Sequence, residues 1–420
     1  MEIRTLGKPR IPSPIELTVD DRARCAAEIV RLPDAPADPG ALFEIAGPRS
    51  QLFFESARAC AGIVTCGGLC PGLNNVIRSV FLELHHIYGV PRVLGFRDGY
   101  AGLDASYGQE PVELTPAFVH DIHRMGGTVL GTSRGPVDIS RAVDNLAARG
   151  VDMLFTVGGD GTQRGALALC REAERRGLSL AVVGIPKTID NDVAFVARTF
   201  GFLTAVEEAC KVITCAHTEA HSVRNGVSIV KLMGREAGFI AASATIASQD
   251  VNFTLIPEVP FALEGEGGFL AALVRRVQAR GHAVIVAAEG AGQDLLGGGA
   301  EERDASGNVK LKDIGLFLRD RIASGFAEAD IPATLRYFDP SYMIRSVPAD
   351  AEDSILCDLL ARNAVHAALA GKTGMVIGLM HDTFVHVPME ALATRKKRVD
   401  PAGETWRAVL AATGQPARFA

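Results

Sequence analysis

The chain lacks the features that mark several large functional classes. Only 6% of its 420 residues are aromatic, and its formal net charge is −6. It therefore offers neither the stacking platforms nor the basic field of a nucleic-acid or membrane-surface binder. No apolar run approaches the ~18 residues of a spanning helix, and the amino-terminal stretch has no leader-like apolar core. The expectation is a chain that is neither exported nor membrane-spanning, and cytoplasmic. Its eight cysteines are scattered, with no C-x-x-C pair and no His/Cys grouping at zinc spacing. They read as reduced, structural thiols. No G-x-G-x-x-G follows the first predicted strand, which argues against a nicotinamide oxidoreductase.

What is present is glycine, 44 residues of it, in a chain that is 48% hydrophobic and 22% charged. That balance and length suit a two-domain α/β protein. The chain is organised around one stretch, Asp152 to Asp192. MLFTVGGDGT (153–162) is an apolar run ending in a glycine turn, QRGALALCREAERRG (163–177) is amphipathic, and LAVVGIPKTIDND (180–192) is a second apolar run ending in acids. This reads as strand, helix, strand, with both polar turns at strand carboxyl ends, where parallel sheets bind ligands.

Residues 1–60 carry Pro9, Pro12, Pro14, Pro33, Pro36, Pro39 and Pro48 and are predicted to be an irregular extension. AGIVTC (61–66), GGLCPGLN (67–74) and a helix over 74–89 make a strand, a phosphate-type glycine turn and a helix start. RVLGF (92–96) is a strand. A helix is predicted over 115–125, with Thr115 as N-cap and Pro116 in its first turn. GGTVLGTSRG (126–135) is a loop whose Arg134 is, on local pattern alone, either a solvated loop arginine or a clamp for a phosphate, and a helix follows over 138–149. The alternation predicts a parallel sheet. Beyond a long helix over 199–217, a second such series occupies 227–344, with strands at 227–232, 253–258, 282–290 and 333–338. Helices are read over 235–247, 268–280, 313–326 and 350–370, a mobile loop over 290–308, and a return strand at 375–380. The predicted architecture is two Rossmann-like parallel-sheet domains with the active site in the cleft between them. One domain covers 61–202 plus 345–395 and the other 203–344, with a helical segment at 396–420.

The turns supply a recognisable chemistry. Gly159 and Gly161 let backbone N–H groups approach a polyphosphate, while the Asp160 carboxylate suits Mg2+. Asp190 and Asp192, two apart in an extended turn, would point the same way, one as a base toward a hydroxyl. Lys187 would offset charge on a transferring phosphoryl group. Arg235, placed at a helix N-terminus, Glu289 at a strand end, and Arg336, Tyr342 and Arg345 would receive a phosphorylated sugar.

In order, GGLCPGLN, GTSRG, GGDGT, PKTIDND, MGRE, AEG and PSYMIRS resemble the motif series of the phosphofructokinases over most of residues 60–390. GGDGT with PKTIDND is most like the ATP-dependent branch of plants and trypanosomatids. The resemblance implies Mg2+-dependent phosphorylation of fructose 6-phosphate at its C1 hydroxyl, a committing step of glycolysis, by a homodimer or homotetramer. By position it implies Asp190 as catalytic base beside Thr188 and Asp192, and Asp160 as metal ligand. Nucleotide-phosphate contacts would come from Gly68, Arg134, Gly135, Gly161, Thr162 and Gly165. Sugar-phosphate contacts would come from Met233, Gly234, Arg235, Glu289, Tyr342 and Arg345, with Arg336 reaching an adjacent subunit. The donor is ATP on the strength of Gly161, where pyrophosphate-using relatives typically carry Asp; Lys187 is the residue that favours pyrophosphate, the alternative donor. A catalytically silent, sugar-phosphate-binding subunit is disfavoured because Asp160 and Asp190 are both kept. Two departures from common bacterial members stand out: GGLC lacks an acid carried there, and Gly226 stands near the place of a second cross-subunit arginine.

Overall fold

The computed structural model describes residues 1–28, 41–297, 302, 309–392 and 396–420. The chain folds into two units. The first comprises Met1–Thr188, Val193–Gly201 and Ser346–Lys396, and the second Ile189–Asp192, Phe202–Arg345 and Lys397–Ala420. The chain thus passes from one to the other inside the PKTIDND stretch, between Thr188 and Ile189.

In chain order the strands are β1 (Arg24–Ala26), β2 (Leu42–Ile45), β3 (Cys60–Thr65), β4 (Arg92–Phe96), β5 (Val112–Glu113), β6 (Met153–Gly158) and β7 (Ala181–Pro186). Then follow β8 (Gly226–Leu232), β9 (Phe253–Leu255), β10 (His282–Ala288), β11 (Thr334–Phe338), β12 (Met375–Met380) and β13 (Thr383–Pro388). The helices of three turns or so and longer are α1 (Leu73–Leu82), α2 (Ile139–Ala148), α3 (Asp160–Arg175), α4 (Phe202–His221), α5 (Phe239–Ser248), α6 (Phe269–Arg280), α7 (Ile314–Glu328), α8 (Ala351–Leu369) and α9 (Glu404–Thr413).

The first unit is built on a nine-stranded sheet in the order β1-β2-β13-β12-β7-β6-β3-β4-β5. Its centre, β12 to β4, is parallel. Strands β3, β6, β7 and β12 are buried along their whole length, which is why they read as unbroken apolar runs rather than alternating ones. The margins are antiparallel, flanking the parallel centre that was predicted. The second unit is a four-stranded, wholly parallel sheet, β9-β10-β8-β11. Its core includes Val227, Ile229, Phe253, Phe269, Ile285 and Phe326. Both sheets have the Rossmann-like α/β character predicted.

The first 60 residues are more regular than their prolines implied. Strand β2 pairs with β13, and β1 with β2. Two-residue strands also pair Arg4–Thr5 with Lys372–Thr373 and Ile11–Pro12 with Gln51–Leu52. The LFEI run of β2 contains no proline, and β13 would otherwise be an open sheet edge. Pro33, Pro36 and Pro39 lie outside the described residues, as do most of 298–308 in the loop predicted to be mobile. The helix predicted over 115–125 is a single turn, Pro116–Val119, and then a 3-10 turn, Ile122–Arg124. The Thr115 cap is present, its side chain accepting from Phe118 N. Beyond it, Met125 is 55% exposed, so no apolar stripe holds a longer helix in place.

Strand β13 brings a buried charge cluster with it. Glu44 Oε1 lies 2.7 Å from Arg49 Nη2, 2.6 Å from Lys372 Nζ and 3.2 Å from His386 Nδ1. Burial opposes the Glu44 carboxylate, yet hydrogen bonds from His386 and Lys372 hold it down at about 2. Burial pushes His386 and His366 down to about 4; His366 Nδ1 is 2.8 Å from the Tyr88 hydroxyl. Both histidines are neutral in the fold at pH 7 and bind protons more readily when unfolded. Their contribution to stability is therefore complete above pH ~6.5 and is lost as pH falls toward 4; that of Glu44 is lost over the lower range from ~4.5 toward 2. Urea titrations between pH 7.5 and 5 should show stability falling with pH, and a His366→Asn variant should show a shallower fall.

Candidate functional site

In the first unit, three neighbouring parallel strands end level. Thr65 of β3 is in register with Val157 of β6, and Gly158 of β6 with Pro186 of β7. The ladder continues one step past the strands, with Cys66 N donating to Val157 O and Lys187 N to Gly158 O. The segments that leave this edge are Gly67–Gly72, Gly159 with the start of α3, and Lys187. The loop bearing Arg134 joins them: Gly67 N donates to Ser133 O at 3.2 Å and Thr132 Oγ1 to Gly67 O at 2.7 Å. Lys187 is 6% exposed and its Nζ donates to Gly68 O at 2.5 Å. Gly68, Arg134, Gly135, Gly159, Asp160, Gly161, Thr162 and Lys187 thus lie on segments that leave one sheet edge.

Helix α3 begins at this edge, with Gly159 as its N-cap and no side-chain cap. Its first N–H groups are left to other partners, and Asp160 stands in the first turn. The glycines divide by what surrounds them. A Cβ on Gly165 would lie 2.4 Å from the Tyr100 ring, and one on Gly158 2.2 Å from Thr162 Oγ1. These are close-packing glycines, and Gly165, predicted as a nucleotide contact, has that packing role. A Cβ on Gly161 would meet nothing nearer than Arg164 Nη2 at 3.8 Å. No packing need requires glycine there. Cys66, beneath the edge, is inert, since burial pushes its thiol up to about 12.

The TIDND turn departs from the extended form predicted. Ile189 and Asp190 form a turn, and Asn191 is left-handed at φ 56°. The shared direction of Asp190 and Asp192 rested on extended backbone between them and does not follow. Thr188 O accepts from Thr199 Oγ1 at 2.7 Å.

The second unit repeats the level-edge device. Leu232 of β8 is in register with Ala288 of β10. Glu289 N donates to Leu232 O at 2.8 Å and Gly290 N to Gly234 O at 3.0 Å. This sets Met233, Gly234 and Arg235 beside Glu289. Burial raises the Glu289 pKa, and the charges of Arg235, Lys231 and Arg345 oppose that rise. Arg345 lies over the Tyr342 ring at 4.9 Å, and its buried Nε has no hydrogen-bond partner among the described residues.

Two placements differ from prediction. Helix α5 starts at Phe239 with Gly238 as N-cap, so Arg235 precedes the helix by a turn. The anion position at that helix end is filled by Glu258, whose carboxylate accepts from Gly238 N at 3.0 and 3.1 Å. Arg235 instead donates to Val309 O at 2.5 Å. Arg336 does not join Glu289 and Arg345. It is in register with Ser228 in the body of β8, 47% exposed, with its Nε 3.5 Å from Glu219. Gly226 has a local reason: a Cβ there would lie 2.1 Å from Ala220 O, so no arginine fits without a backbone shift.

Sequence reasoning missed a polar network beside the acceptor edge. Lys231 Nζ lies 2.7 Å from Asp313 and 2.8 Å from Asp339, and the Tyr337 hydroxyl donates to Asp313 at 3.0 Å. Burial works against the Lys231 charge, but its bonds to Asp313 and Asp339 more than offset this and raise its pKa. The available signal was a lysine inside the apolar run VSIVKL.

The phosphofructokinase family model matches residues 60–368. The chain is 47% identical over 439 residues to an ATP-dependent 6-phosphofructokinase of Amycolatopsis methanolica, covering 100% of this chain and 95% of that one. It is 48% identical over 402 residues to ATP-dependent 6-phosphofructokinase 1 of Arabidopsis thaliana, covering 95% and 84%. A pyrophosphate-dependent phosphofructokinase from Marinobacter aquaeolei superposes with a TM-score of 0.69 at 21% identity, over 86% of this chain and 93% of that one; at that identity the likeness speaks to the fold. The chain belongs to the phosphofructokinase family.

The two kinds of glycine give a test. Gly165→Ala should cost about 1–3 kcal/mol through collision with Tyr100. Gly161→Ala should be neutral or stabilising by up to ~1 kcal/mol. Urea unfolding of the two variants measures the contrast.

Proposed function

We propose that the chain transfers the terminal phosphoryl group of ATP to the C1 hydroxyl of fructose 6-phosphate, giving fructose 1,6-bisphosphate, and works in the cytoplasm. The observation that carries the donor assignment is Gly161, open at the start of α3. The α-phosphate of ATP needs that space, and an aspartate there would fill it and repel the nucleotide. Lys187 is the single feature that favours pyrophosphate. The relatives at 47–48% identity named as ATP-dependent support the same choice.

In this reading the donor phosphates rest on the first N–H groups of α3 and on the Gly68 turn, with Arg134 and Gly135 closing over them. Among the described residues no three His, Cys, Asp or Glu side chains are grouped to hold a metal ion. A single carboxylate beside a phosphate site is the kind of protein ligand that suits Mg2+. Asp160 is the carboxylate in the first turn of α3. Asp160 would hold Mg2+ there, and the ion would supply positive charge against the phosphate oxygens. Lys187 adds a fixed positive charge at the same edge.

On the acceptor side, Arg345 and Arg235 take the sugar phosphate, with Tyr342, Met233 and Gly234 shaping its seat and Glu289 accepting from sugar hydroxyls. The unpartnered Nε of Arg345 fits an anion ligand. Asp190 removes the C1 hydroxyl proton as that oxygen attacks the γ-phosphorus, the bond from that phosphorus to the bridging oxygen breaks and ADP leaves; Thr188 and Asp192 orient Asp190. Arg336, apart from this group and exposed, is assigned to the site of an adjacent subunit in a homodimer or homotetramer.

Asp190→Asn should lower kcat by roughly 10²–10⁴-fold with smaller changes in KM; steady-state kinetics with near-normal kcat would remove Asp190 from its role. Gly161→Asp should raise the KM for ATP at least tenfold while thermal stability stays close to wild type. Unchanged use of ATP by that variant would contradict the donor assignment.

A further inference from the structure

The segment that carries the chain into its last helix makes contacts which the reaction scheme above leaves unused. Lys397 N donates to Asp192 O at 3.1 Å. The Lys397 ammonium lies 5.0 Å from the centre of the Phe239 ring, and Phe239 is the first residue of α5. Burial pushes this ammonium down to about 8, and the negative charge of Asp192 pushes back. The next residue, Arg398, places Nη2 3.5 Å from Glu236 Oε2. Val399, 2% exposed, donates its N–H to Glu258 Oε1 at 2.8 Å. That carboxylate is the one that accepts from Gly238 N at the start of α5. Three successive residues therefore tie together the acidic turn, the MGRE loop and the first turn of α5, all within the second unit.

We propose that Lys397–Val399 is a positioning strap for the phosphoryl-transfer turn, in which Lys397 holds Asp192, and through it the turn bearing Asp190, against the segment that begins α5. This rests on the reading of Asp190 as catalytic base. The physical need is specific. Asn191 is left-handed, so the turn between the two aspartates is not a strand held by a regular ladder. Two carboxylates two residues apart also repel when both are ionised, and the charge of Lys397, which interacts with that of Asp192, opposes that repulsion. A flat ring under the ammonium keeps it in place by cation–π attraction without neutralising it. Lys397 touches no reacting atom in this scheme; it is a positioning residue.

The test is a set of variants of the full-length chain assayed with fructose 6-phosphate, ATP and Mg2+. Lys397→Met keeps the side-chain length and removes the charge. It should lower kcat by ~10–100-fold, leave both KM values within about threefold and unfold at nearly the wild-type temperature. Lys397→Arg should recover most of the lost kcat, which a purely structural role for the stem would not require. A Met variant that folds and turns over within about twofold of wild type overturns the proposal. Should the Met variant not fold, Lys397→Gln takes its place with the same two outcomes. If the wild-type chain phosphorylates no sugar with either donor, it is the activity reading that has failed. The strap is then decided by hydrogen exchange over the peptide 188–196: faster exchange in the variant supports it, and unchanged exchange contradicts it.

Discussion

The whole arrangement depends on parallel strands ending level. In the first unit the peptide groups after Thr65 and Pro186 bond to Val157 O and Gly158 O of the strand between them. In the second, the N–H after Ala288 bonds to Leu232 O. Each bond extends the ladder by one residue beyond the strands. Buried backbone groups must be paired, so the chain has little freedom in where each loop begins. Loops that start at a common level present their glycines and charged residues to a common place. A slip of one residue in β6 would move GGDGT out of line with the turns on both sides and turn every side chain of the strand to the other face.

On that frame the charges are sorted rather than scattered. Lys187 is nearly buried and bonded to a carbonyl of the first glycine turn. Lys231 is held charged by Asp313 and Asp339, and Glu289 sits in the field of Arg235, Lys231 and Arg345. Buried charges persist only when they are paired or face a ligand of opposite sign. Each edge thus carries both cations and a carboxylate close to its strand ends. The Glu44 cluster at the sheet margin is different. Its groups answer one another and join the first 60 residues to β13, which is a structural role.

Much of this was legible in the sequence. The central strands announce themselves as apolar runs because both faces are covered, and glycine turns mark their ends. The donor edge was readable because its residues follow their own strands directly. What was not legible depended on neighbours distant in sequence. Strand β2 forms because β13 offers it an edge, and nothing in LFEI itself reports that. Arg235 was read at a helix start, but the helix begins at Phe239, where the N–H of its N-cap Gly238 is taken by Glu258, 20 residues on. The packing of Gly165 against the Tyr100 ring could not be read from its motif, because Tyr100 is 65 residues away in sequence. Asn191 breaks the extended turn by adopting a left-handed backbone, which asparagine tolerates but does not require. The contacts of Lys397, Arg398 and Val399 come from a segment whose sequence shows no motif.

The central claim is that this edge holds the phosphates of ATP and passes one to a sugar phosphate. The most direct measurement is formation of fructose 1,6-bisphosphate by the purified chain from fructose 6-phosphate and Mg2+, with ATP or pyrophosphate as the sole donor. The account predicts turnover with ATP and little or none with pyrophosphate. Turnover with pyrophosphate alone would contradict it.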